Sequence, residues 1–85
     1  MSTALIASHP VAFGRRLRHA RDRAGVTLAF AARRSGLSRT ELDLLERGHT
    51  SVDLDTLMLL AGLYDCPLGW LLTGTGEPTA DSVAP

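Results

Sequence analysis

Between Thr27 and Gly48 the sequence specifies both ends of two short helices with almost no chain between them. Thr27 places a hydroxyl acceptor ahead of a helix that runs to about Arg34, and Gly36 can take the positive φ that closes it. Ser38-Arg39-Thr40-Glu41 follows at once. This is a capping box, in which the serine hydroxyl accepts from the amide three residues on and the Glu41 carboxylate accepts from the serine N–H. Leu37 and Leu42 stand as its hydrophobic staple, the helix runs to about Arg47, and Gly48 ends it. Isolated helices below ~12–15 residues are marginal in water, so neither persists unless it packs on something else. The chain is thereby confined to small helical bundles built around this pair.

The remaining segments supply the packing partners. Phe13, Leu17, Ala20 and Ala24 recur at i, i+4, i+7 and i+11, which predicts a first helix from Val11 to Ala24, with Pro10 in its first turn and Gly25 as its cap. His49 to Val52 has no period and reads as a loop. Asp53 then caps a fourth helix, on which Leu54, Leu57, Met58, Ala61 and Leu63 or Tyr64 form a broad apolar face. A fifth, from about Pro67 to Leu72, turns Leu68, Leu71 and Leu72 to the core before Gly74-Thr75-Gly76-Glu77-Pro78 ends it. The expected fold is all-α, a compact five-helix domain with one core, because 85 residues are too few for two. Residues 1–10 read as an N-terminal arm, flexible or touching a second copy; 11–76 form the domain; 77–85 read as a disordered tail.

Net charge is zero, which taken alone argues against a polyanionic partner. Its distribution argues the opposite. All nine basic residues are arginines within the first 50 positions, which carry +5, whereas residues 51–85 carry five acids and no base. Sign asymmetry of this kind keeps the partner information that a neutral average hides. The single cysteine, Cys66, cannot form an intrachain disulfide, no segment approaches the ~20 apolar residues of a membrane span, and the apolar run Ala4 to Ala7 has no basic residue before it. A cytoplasmic chain, with neither signal peptide nor membrane anchor, is expected. His9, His19 and His49 are scattered, Cys66 has no ligand neighbour at metal spacing, and neither a phosphate loop nor a nucleophile motif is present. No enzyme activity, metal or cofactor is expected.

Two short capped helices joined by a three-residue turn with a central glycine form a helix-turn-helix arrangement. From Phe13 to Gly74 the chain resembles the phage-repressor/Cro-type helix-turn-helix family. The matching stretches are Phe13-Gly14-Arg15-Arg16-Leu17-Arg18, Gly25-Val26-Thr27, Ser35-Gly36-Leu37-Ser38-Arg39, Leu45-Glu46-Arg47-Gly48 and Trp70-Leu71-Leu72-Thr73-Gly74. The resemblance implies a sequence-specific, DNA-binding transcriptional regulator, most simply a repressor. Helix 3 (about residues 39–47) would enter the major groove of double-stranded DNA, and a homodimer would place two such helices about 34 Å apart. Helix 5 with Trp70, or the Ala4 to Ala7 segment, are the two candidate dimer surfaces.

By the same resemblance, Arg21 and Glu46 match a pair that ties helix 1 to helix 3. Arg39, Thr40, Asp43 and Leu44 match positions facing base edges. Ser38, Thr27 and Leu28 stand at helix starts where phosphates are met, and His49, Thr50 and Ser51 match backbone-contacting loop positions. Arg39 is the leading candidate, since its planar fork suits guanine O6 and N7 or a phosphate; the competing expectation is that it pairs with Asp43 four residues on. Relatives usually carry a polar residue at Leu28 and an acid at Phe30. These departures admit an alternative, in which Leu28, Phe30 and Leu44 form an apolar patch for a protein partner and the fold serves as an anti-repressor, antitoxin-like partner or co-regulator.

Overall fold

The computed structural model describes residues 4–5 and 9–75. Five helices follow one another as α1 (Pro10–Ala24), α2 (Leu28–Ser35), α3 (Arg39–Glu46), α4 (Leu54–Tyr64) and α5 (Leu68–Thr73), with two short strands, β1 (Ala4–Leu5) and β2 (Val52–Asp53). The local chemistry of the helix ends explains these boundaries. Pro10 opens α1 and Gly25 closes it at φ 70°. The Thr27 hydroxyl accepts from the Phe30 amide at 3.1 Å, and Gly36 closes α2 at φ 81°. Both arms of the capping box at α3 are present at 2.9 Å, the Ser38 N–H donating to Glu41 and the Glu41 N–H to the serine hydroxyl. These bonds hold the Glu41 carboxyl below its usual range. The box is therefore intact above the ordinary carboxylate pKa and opens as pH falls through the lowered one. At α4 the Asp53 carboxylate accepts from the Thr56 amide at 2.8 Å.

Side chains that the helix periods turn inward meet in one core. Leu17 of α1, Leu42 and Leu45 of α3, Leu57, Leu60 and Tyr64 of α4, and Leu71 of α5 are fully buried, with Ala31 and Ala32 of α2 closing one side. The first helix lies across α3, α4 and α5, while α2 packs on α3 and α4. The domain is thus an all-α, five-helix assembly in which α3 is held from behind and its outer face is left to solvent.

Two sequence expectations change. The apolar face of α4 is Leu57, Leu60, Ala61 and Tyr64, and Leu54 and Met58, expected inward, lie exposed with Leu59. Nearly every position from Leu54 to Tyr64 is apolar, so several stripes are equally hydrophobic and period alone cannot choose among them. Contact with α1 and α2 sets the rotation instead. Val52, expected in a loop, joins β2: Leu5 pairs with Val52 and Ala4 with Asp53, antiparallel and within the same chain. Two residues cannot display a period of two. The remainder of the expected N-terminal arm, other than His9 and Pro10, and the 77–85 tail lie outside the described residues.

Cys66 is buried, and burial, with the nearby Asp65 charge, pushes its thiol up to about 11. Thiolate is the reactive form. At pH 8, alkylation of the native protein by iodoacetamide, followed by mass spectrometry, is expected to be at least about a hundred-fold slower than in urea. Comparable rates in the two conditions would show that Cys66 is open to solvent.

Candidate nucleic-acid interface

The orientation of α3 is set by three contacts from one side chain. The Arg21 guanidinium on α1 donates from Nε to Glu46 Oε2 at 2.7 Å and from Nη2 to Glu46 Oε1 at 3.1 Å, a two-point clasp on the last residue of α3. Its Nη1 donates to the Val26 carbonyl at 3.0 Å, in the turn that leads into α2. The Arg21 and Glu46 side chains keep only 12% and 5% of their exposure, so the pair is largely removed from water. Donation to the Glu46 carboxylate raises the Arg21 pKa, and the guanidinium stays charged. Both helices of the helix-turn-helix are therefore referenced to one point on α1.

With α3 fixed, Arg39, Thr40 and Leu44 are exposed on it and Asp43 is half-buried, while Glu41, also exposed, is taken up by the capping box. Arg39, Thr40 and Asp43 line an open notch together with Leu28, the first residue of α2. Leu28 is half-buried and packs on the core. Ser38 and Thr27 are exposed, and their hydroxyl oxygens accept as helix caps, which leaves each O–H able to donate outward. His49, Thr50 and Ser51 are exposed in the loop after α3, where the His49 N–H donates to the Leu44 carbonyl at 2.9 Å. Leu44 is partly exposed, at 38%.

The Arg39–Asp43 pair, the competing expectation for Arg39, is not formed. Asp43 faces Arg47 instead, at 3.1 Å, and Arg39 has neither an ion pair nor a side-chain hydrogen bond among the described residues. Both partners lie one helical turn from Asp43, but Arg47 lies on its C-terminal side, the more favourable order for an acid-to-base pair on a helix. Phe30 is exposed, at 37%, and the guanidinium groups of Arg33 and Arg34 on its own helix lie 6.0 and 5.8 Å from its ring centre, so this apolar surface is bordered by charge.

The arginines that made the first half basic do different work. Arg16 donates to the Leu71 and Leu72 carbonyls at 2.9 and 3.2 Å, capping the end of α5, a structural role that nothing in the local sequence signals. Arg18 lies 3.9 Å from Asp22 on an exposed face. Arg15, Arg23, Arg33, Arg34 and Arg39 have no carboxylate partner among the described residues. No three histidine, cysteine, aspartate or glutamate side chains among these residues are placed to hold a metal. None of their helices is long and apolar enough to cross a membrane.

A short helix, clasped from behind and exposed in front, with a tight glycine turn ahead of it, defines a helix-turn-helix protein. Residues 17–71 match the helix-turn-helix family HTH_3, and the chain belongs to that family, of the Cro/C1 type. It is 36% identical over 62 residues to the HTH-type transcriptional regulator ImmR of Bacillus subtilis (strain 168), covering 73% of this chain and 49% of that one. The chain thus spans about half the length of that curated relative. Its fold is similar to the restriction-modification controller protein C.AhdI from Aeromonas hydrophila, at 36% identity and a TM-score of 0.65 over 72% of this chain and 92% of that one. It is also similar to the P22 c2 repressor, solved in complex with a synthetic operator, at 25% identity and a TM-score of 0.68, over 74% and 96% of the two chains.

Proposed function

We propose that this chain is a sequence-specific DNA-binding regulator, acting most simply as a repressor in the cytoplasm, and that it places α3 in the major groove as a homodimer on a near-palindromic site. The observation that carries this reading is the contrast at α3. Arg21 and Glu46 fix the helix from behind, while Arg39 and Thr40 project from its N-terminal end without a side-chain partner among the described residues. Phosphate contacts come from Thr27, Ser38, His49, Thr50 and Ser51, through amides and hydroxyls at helix starts and in the following loop. The unpaired arginines add the sequence-independent attraction. P22 c2 was solved on an operator and C.AhdI is a controller protein, which supports the same role here.

Binding to a duplex selected from random DNA is expected to weaken by about 10³ between 50 and 200 mM salt, as for a protein making roughly six phosphate contacts. Arg39→Ala is expected to weaken binding roughly 5- to 150-fold and to relax selection at one base position per half-site. Affinity that barely moves with salt would overturn the reading. The protein-docking alternative finds less support in the geometry, because Leu28 packs on the core and the exposed Phe30 ring is bordered by the charged groups of Arg33 and Arg34.

A further inference from the structure

We infer that the notch between the start of α2 and the outer face of α3 reads a thymine through its 5-methyl group, beside a guanine read by Arg39. This rests on α3 entering the major groove. The notch is lined by Leu28, Thr40, Arg39 and Asp43. Leu28 is half-buried and packs against the core, so this wall is apolar and anchored on one side. Thr40, the second residue of α3, adds a methyl from the neighbouring helix.

In the major groove the thymine methyl is the only apolar group on the base edges; the other edges present donors and acceptors. An apolar wall against an amine or a ring nitrogen leaves that polar group desolvated and unpaired, so the same wall favours thymine and disfavours its alternatives. A leucine where a phosphate-contacting polar residue was expected thereby acquires a role in reading bases. Arg39 bounds the same notch and is free to present its fork, because Asp43 is held by Arg47 at 3.1 Å. Asp43 can only accept hydrogen bonds, as can the O6 and N7 edge of guanine, so guanine is turned away from Asp43 and toward Arg39.

The test begins with the full chain and a site selected from random duplex DNA. Each thymine is then replaced singly by uracil, which deletes only the methyl. One thymine per half-site, next to a guanine, is expected to lose roughly four-fold in affinity, the effect of one buried methyl-sized group. In Leu28→Ala the same replacement is expected to change affinity by less than about 1.5-fold, because the contact is already gone. Thr40→Ser, which trims one methyl from an exposed side chain, serves as a second variant if Leu28→Ala melts early, and is expected to roughly halve the uracil effect. A selected site in which no thymine-to-uracil change exceeds about two-fold, or in which the loss is undiminished in both variants, overturns the inference and leaves DNA binding standing. A pool with no enriched sequence overturns both.

Discussion

Gly14→Ala is expected to destabilise the domain by about 3 kcal/mol, the upper part of the range for overpacking, measured by urea unfolding. In an unconstrained helix the same change stabilises by up to ~1 kcal/mol, because glycine loses more backbone entropy on folding than alanine. Here the sign reverses on sterics. A Cβ at position 14 would fall on the Glu46 carbonyl oxygen, 2.7 Å from its carbonyl carbon and 2.8 Å from the Leu45 oxygen, and all three are backbone atoms that no rotamer change can move. The helices α1 and α3 must then separate, and the Arg21–Glu46 clasp between them is strained. Gly62→Ala is the internal control, since it also lies within a helix but nothing stands within 4 Å of its added Cβ. It is expected to be neutral or to gain up to about 1 kcal/mol. Equal effects at the two sites would mean that α1 and α3 are not in close approach.

That approach marks a limit of what the sequence can express. Helix ends are encoded locally, and Thr27, Ser38, Glu41, Asp53 and the glycines at 25, 36 and 74 act where their local chemistry placed them. Contacts across the core are not local. Gly14 and Arg16 entered the reading only as members of a matching stretch, yet one is the point where two helices touch and the other caps α5 from 55 residues away. Gly48 was legible as a helix stop, and its φ of 81° agrees, but its closeness to the Val11 backbone was not. The rotation of α4 is the converse case: nearly every position is apolar, so the pattern constrains too little. At the interface the residue types were legible and their pairing was not. Which of Arg39 and Arg47 takes Asp43 is a contest between two partners one turn away, and its outcome decides which arginine is left without an ion pair.

The second large effect concerns the clasp. Glu46→Ala is expected to destabilise by about 3–5 kcal/mol, because it leaves the Arg21 guanidinium charged and unpaired in a site largely closed to water. In a domain of this size that corresponds to a fall in melting temperature of roughly 15 °C or more. The neighbourhood makes the penalty severe. Tyr64 is buried beside the pair, and burial, then the Glu46 charge, raise its pKa, so a stranded charge here would have little solvent around it. Stability and orientation separate in the double variant Arg21→Met/Glu46→Leu. With no charge left to strand, most of the lost stability is expected to return, as it does when buried ion pairs are replaced by packed apolar side chains. Affinity for the selected duplex is expected to stay below wild type, because the two-point tie between α1 and α3 and the bond to the Val26 carbonyl ahead of α2 are both gone. If affinity recovers in step with stability, the pair only holds the fold; if stability returns alone, Arg21 aims the helix.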